Sequence, residues 1–141
     1  MPPAGLVDTG AILALLDRND NWHRSCVDTY NHTHLPLLTT EAVLTEVFHL
    51  AQRNLREVRG VWRFLGSGAV QLCPIANEEL PQIRALMDRY SDRPMDFADA
   101  TLVHLAGRES LSLILTVDHD DFETYRIAGR KRFTILPRRQ N

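Results

Sequence analysis

The sequence predicts one α/β domain, residues 1–141, built on a central, mainly parallel five-stranded sheet with helices on both faces. Three observations lead there. Short apolar runs of strand length recur along the chain, among them Leu6-Val7, Leu37-Leu38 and Leu113-Ile114-Leu115. Between them lie longer segments whose apolar residues recur at three- and four-residue spacing. Strands alternating with helices define βαβ units, and the parallel sheet they build is covered on both faces. With 141 residues the chain can bury one core but not two comfortable ones. No internal repeat, low-complexity segment or linker divides it.

The elements follow in order. Leu6-Val7-Asp8 reads as a short buried strand ending at Asp8, and residues 9–18 as a helix with Ile12, Leu13, Leu15 and Leu16 on its apolar face. Asp20 or Asn21 is expected to cap a second helix running to about Tyr30. Residues 35–39 form the second strand, and Thr40 caps the helix that carries Glu46. Asn54 separates that helix from an amphipathic one over 55–65, which Gly66-Ser67-Gly68 stops. Residues 70–73 give the third strand. A helix over 77–90 tolerates Pro81 in its first turn. Asp96 opens a helix reaching Arg108. Residues 113–117 and 133–136 supply the fourth and fifth strands.

Hydrophobic residues make up 44% of the chain and charged residues 24%, values of an ordinary globular protein that favour neither disorder nor a membrane class. No apolar run approaches the roughly 18 residues needed to cross a bilayer. Met1-Pro2-Pro3-Ala4-Gly5 lacks the pattern of a secretory signal. Cys26 and Cys73 have no metal-ligand spacing, so two buried thiols in a reducing cytoplasm are expected rather than a disulfide. The net charge of −2 gives no overall bias towards nucleic acid. The cations are fifteen arginines and one lysine, Lys131, a balance that either a G+C-rich genome or phosphate recognition by guanidinium forks would produce.

Four acids stand out against this background. Asp8 and Asp118 each follow an apolar run, at the carboxyl edge of a parallel sheet where ligands bind. On a helical projection, Asp99 points the same way as Leu102, Val103 and Ala106, and Glu46 borders the arc of Val43, Val47 and Ala51. Two such carboxylates about 4 Å apart repel by on the order of 4 kcal/mol at an effective dielectric of about 20, so a shared cation is the natural counter-charge. Oxygen-only ligands select hard cations such as Mg²⁺ or Mn²⁺, which suit phosphodiester hydrolysis. Each acid also has a plainer reading. Asp8 suits a helix cap, Asp99 a first-turn acid behind the N-cap Asp96, Glu46 a solvated boundary, and Asp118 the start of a turn through Asp121.

Four fragments carry a resemblance. They are Leu6-Val7-Asp8-Thr9-Gly10-Ala11, Thr40-Glu41-Ala42-Val43-Leu44-Thr45-Glu46-Val47, Met95-Asp96-Phe97-Ala98-Asp99-Ala100-Thr101-Leu102 and Thr116-Val117-Asp118-His119-Asp120-Asp121-Phe122. In this order and spacing the chain resembles the PIN-domain ribonucleases of the VapC toxin type, over nearly its whole length. The resemblance implies a PIN-like three-layer fold and an endoribonuclease whose Mg²⁺ or Mn²⁺ is held by Asp8, Glu46, Asp99 and Asp118. It implies Asp96 as a further ligand or an N-cap, and Thr9 and Thr116 as hydroxyl residues supporting the first and fourth acids. Asp121 matches the last acid of the fourth motif, where turn stabilisation is the expected role. RNA as substrate, a VapB-like antitoxin and a homodimer follow from the same resemblance.

Two other functions compete. A phosphatase or phosphotransfer domain wants an Asp-x-Asp nucleophile or a nearby lysine, and Asp8-Thr9-Gly10 and the distant Lys131 supply neither. A catalytically silent RNA- or protein-binding module would keep the fold without needing intact acids. Outside the acidic set, Arg56, Arg59 and Arg63 share one face of the 55–65 helix, opposite Leu55, Val58, Trp62 and Leu65. Solvent, phosphate or an acidic partner would each suit that face. The 9–18 and 55–65 helices are candidate dimer surfaces.

Overall fold

A computed structural model describes residues 3–140; Met1, Pro2 and Asn141, and with them the start of the N-terminal reading, lie outside the described residues. The chain runs β1 (Leu6–Val7), α1 (Thr9–Leu16), α2 (His23–Asn31), β2 (Leu37–Thr39), α3 (Glu41–Ala51), α4 (Leu55–Gly66) and β3 (Val70–Leu72). It continues through a 3₁₀ turn (Asn77–Glu79), α5 (Leu80–Arg89), α6 (Phe97–Glu109), β4 (Leu113–Leu115), α7 (His119–Thr124) and β5 (Thr134–Leu136). Every pairing in the five-stranded sheet is parallel, in the order β3-β2-β1-β4-β5.

That order places a switch point between β1 and β4. From β1 the chain steps outward to β2 and β3, then crosses back to β4 and steps the other way to β5. Parallel neighbours need crossover connections, and the intervening helices supply them. Consecutive strand residues report both layers. Leu6 and Val7, Leu37 and Leu38, Ile114 and Leu115 are all buried although their side chains alternate in direction. Burying each contributes roughly 1.5–3 kcal/mol. The edge strands β3 and β5 are more exposed, as strands with one neighbour should be.

Caps fix where the helices begin. Thr40 Oγ1 accepts from the Val43 N–H, Asn54 Oδ1 from the Arg56 N–H, and Asp96 Oδ1 from the Asp99 N–H. Thr40 Oγ1 and Thr101 Oγ1 lie 2.8 Å apart, buried, and tie the start of α3 to α6. Gly68, at φ 83°, turns the chain after α4 where a side chain would be strained.

Several boundaries differ from the sequence expectation. The strands are shorter; Leu35, Pro36, Cys73, Thr116, Val117 and Phe133 fall outside them, Pro36 having no N–H for a ladder, although the Cys73 N–H still donates to the Thr39 carbonyl. The expected 77–90 helix is divided into the 3₁₀ turn and α5, with Pro81 at the junction. Trp22, not Asp20 or Asn21, precedes α2, since Asp20 spends its carboxylate on the Trp22 N–H. Residues 118–121 begin helix α7 rather than a simple turn. On α4 the buried residue is Val61, whereas Leu55 and Trp62 are exposed and Trp62 lies against Phe48 at 4.9 Å. Cys26 and Cys73 are buried free thiols. Among the described residues no helix is long and apolar enough to cross a membrane.

Candidate metal centre

At the switch point, one cleft of about 430 Å³ is lined by Asp8, Glu46, Asp96, Asp99, Asp118 and Asp121, together with Thr9 and a few apolar side chains. The four acids singled out in the sequence therefore meet, and Asp96 and Asp121 meet with them. Among the described residues no lysine or arginine lines this cleft. Arg93 reaches its rim, with Nη1 3.7 Å from Asp121 Oδ1.

Each side chain arrives by a different route. Asp8 follows β1 and caps α1, its Oδ1 accepting the Thr9 N–H at 2.7 Å. Its Oδ2 accepts from the Thr116 hydroxyl at 3.0 Å, and Thr116 Oγ1 in turn accepts the Asp118 N–H at 3.0 Å. Thr116 thus holds both the first and the fourth acid. Thr9 serves Asp8 through its backbone instead, and its buried hydroxyl has no hydrogen-bond partner. Asp99 is only 8% exposed in the first turn of α6, where Oδ2 accepts from the buried Tyr125 hydroxyl at 3.0 Å. Asp118 and Asp121 come from the junction and first turn of α7. Glu46 reaches in half-buried from the middle of α3.

Within the cleft, Asp99, Asp118 and Asp121 each offer an oxygen within 4.8 Å of the others. Asp8 and Glu46 line the same space outside this tight trio. Asp121, expected in a turn, brings its carboxylate into the trio from the first turn of α7. Asp96 is exposed and acts as the α6 cap. Tyr125 and Arg93 give no periodicity or motif signal in the sequence; only the return of the chain after α7 brings them here.

The electrostatics record a surplus of negative charge. Burial pushes Asp8 up to about 6, with Asp118 and Glu46 adding to it while the Thr9 N–H and Thr116 hydroxyl oppose it. Asp99 is pushed up to about 8, chiefly by burial and then by the charges of Asp8 and Asp96, against the donation from Tyr125. Asp118 rises to about 6 through partial desolvation at the carboxylate and its contact with Asp121, although the residue as a whole is exposed. Glu46 is raised by burial and by Asp96. The nearby Thr9 hydroxyl opposes that rise, although no hydrogen bond of good geometry joins the two. Burial and its carboxylate neighbour raise Tyr125, which stays a neutral donor.

Three features fit a hard divalent cation: an all-oxygen donor set, carboxylates held above their ordinary range, and the orphaned Thr9 hydroxyl lining the cleft. A larger groove of about 960 Å³ runs between α5 and α6, but its one carboxylate, Glu79, is already bound to His104 and Arg108. The cluster of free carboxylates lies in the smaller cleft.

A parallel sheet with an acidic cleft at its switch point defines a class of α/β domains suited to holding a hard cation beside a substrate. Residues 5–128 match the PIN domain family, and the chain belongs to it. In fold it is similar to VapC20 of Mycobacterium tuberculosis, a toxin that cleaves the sarcin-ricin loop. That match has a TM-score of 0.71 at 20% identity and covers 83% of this chain and 93% of that one. It is also similar to a chain of the DNA-bound VapBC of Salmonella typhimurium, with a TM-score of 0.63 at 19% identity over 94% and 98% of the two chains. At these identities the likeness is one of fold. Comparison with curated proteins returned no match.

Proposed function

We propose that this protein is a divalent-metal-dependent endoribonuclease, the toxin of a toxin–antitoxin pair restrained by a cognate VapB-like antitoxin. The observation that carries the reading is the convergence of Asp8, Glu46, Asp99, Asp118 and Asp121 in one cleft. Membership of the PIN family and the fold shared with an RNA-cleaving toxin support it. The fold shared with a VapBC chain supports the antitoxin partner. A homodimer in the bacterial cytoplasm completes the reading, in keeping with the two free thiols and the exposed apolar Leu55 and Trp62 on α4.

Asp99, Asp118 and Asp121 would hold Mg²⁺ or Mn²⁺, with Asp8, Glu46 and Asp96 completing the acidic surround. Bound there, the cation supplies Lewis acidity towards a phosphoryl oxygen and acidifies water. The remaining work falls to the protein. The Thr9 N–H and Thr116 hydroxyl keep Asp8 ionised and aimed into the cleft, and Thr116 fixes the start of α7 so that Asp118 faces it. Glu46 Oε atoms, at the margin and raised by burial and by Asp96, are suited to take a proton from an incoming water. Arg93 at the rim offers a guanidinium to an RNA phosphate.

The test is cleavage of single-stranded and looped RNA by purified protein with Mg²⁺ or Mn²⁺. Asp8→Ala and Asp99→Ala should each lower the rate by at least a hundredfold while the protein stays folded. Full cleavage by both variants rejects the site. RNA retention without cleavage in either metal would instead indicate a silent binding module. In a bacterial host, growth arrest that Asp8→Asn abolishes would join the chemistry to the toxin role.

A further inference from the structure

Tyr125 lies just beyond α7, with no exposed surface, and its ring is held on two sides. Phe122 packs edge-on at 5.2 Å and Tyr90 at 5.1 Å, while Phe133 backs Phe122 at 5.4 Å. Tyr90 is itself anchored, its hydroxyl accepting the Arg126 N–H at 3.0 Å. A ring clamped in this way leaves its hydroxyl one direction, and that direction is Asp99 Oδ2 at 3.0 Å.

Asp99 is gripped at two points. Its backbone N–H donates to Asp96 Oδ1 and its Oδ2 accepts from Tyr125, so neither the helix turn nor the carboxylate is free to rotate. Among the described residues no protein donor reaches Oδ1. Resting on the metal-centre reading above, we propose that Tyr125 is a positioning residue for the cation: it fixes the Asp99 carboxylate so that one oxygen stays open towards Asp118 and Asp121.

The choice of donor fits this task. A lysine or arginine at the same place would hold the carboxylate but neutralise the charge that attracts a cation. A buried phenol holds it without adding charge. A tyrosine that merely needed a partner for its own hydroxyl would be satisfied by any carbonyl, and its loss would alter stability alone. Outer partners of metal ligands behave differently, their removal costing about 10–100-fold in metal affinity or activity.

Tyr125→Phe retains the ring packing and removes only the hydroxyl. Calorimetric titration with Mn²⁺ should show the dissociation constant rising roughly tenfold or more. RNA cleavage should need correspondingly more Mn²⁺ while its rate at saturating metal stays within a few-fold of the native rate. Native protein that binds Mn²⁺, with an unchanged constant in the variant, overturns the positioning role alone. Native protein that takes up no Mn²⁺ or Mg²⁺ overturns the nuclease reading and this inference with it. If the variant fails to fold, tyrosine-labelled native protein serves instead. A Mg²⁺ titration should shift the Tyr125 ring resonances and leave those of Tyr30 in place, and a stationary Tyr125 signal overturns the proposal.

Discussion

Neutralising Asp99 should stabilise the metal-free protein, and by an amount that depends on pH. The carboxylate is buried beside Asp8 and Asp96 and is raised from 3.8 to about 8. A group held above its unfolded value contributes stability that is complete below that value and is lost as pH rises towards the folded one. For Asp99 the window runs from about pH 4 to about pH 8. At pH 7 the folded protein still carries a proton that the unfolded chain has released. Each pH unit above the unfolded value costs about 1.4 kcal/mol, giving on the order of 4 kcal/mol. Asp99→Asn removes that cost and keeps an acceptor for Tyr125. Thermal unfolding in chelator should therefore place the variant on the order of 10 °C above the native protein at pH 7.5, from roughly 3 °C per kcal/mol. The two should converge near pH 4. Adding Mg²⁺ or Mn²⁺ at pH 7.5 should raise the native protein and leave the variant nearly unmoved. Equal melting temperatures at every pH, or a variant less stable than the native chain at pH 7.5, would refute the argument that the cleft holds uncompensated charge.

Two substitutions test the supports of the cleft. Thr116→Val deletes both the donor to Asp8 and the acceptor of the Asp118 N–H at a fully buried position. It should cost about 1–3 kcal/mol in urea denaturation and weaken Mn²⁺ binding, and unchanged values for both would deny Thr116 its bridging role. Gly10→Ala sets helix propensity against packing, because a Cβ there would lie 2.7 Å from Val117 Cγ2. Propensity gains up to about 1 kcal/mol, whereas forcing aside a stiff, branched neighbour costs roughly 1–3, so net destabilisation and slower cleavage are expected. A more stable Gly10→Ala protein would show that Val117 yields freely.

Much of the architecture is written in local pattern. Adjacent apolar residues such as Leu6-Val7 and Leu37-Leu38 announce strands covered on both faces, and Thr40 and Asp96 announce helix starts by their capping chemistry. Strand ends were less legible. Cys73 and Phe133 look no different in sequence from the residues inside β3 and β5, and the Cys73 N–H still bonds the Thr39 carbonyl beyond the end of β3. On α4 the apolar stripe opposite the arginines turns only partly inward: Val58 and Leu65 pack against the core beside the buried Val61, and Trp62 stays exposed against Phe48.

For the acidic cleft, the sequence by itself determined which carboxylates end strands or interrupt apolar helix faces, since such positions are recognisable one element at a time. Only the tertiary structure decided that they meet. Thr116 and Asp8 stand 108 residues apart and touch because β1 and β4 are sheet neighbours, a fact of strand order that no local periodicity encodes. The same long-range closure set the Thr116 hydroxyl against Asp8 and brought Tyr125 against Asp99. Spacing along the chain reports which way a side chain leaves its own helix or strand. What it finds there depends on elements that arrive from elsewhere in the sequence.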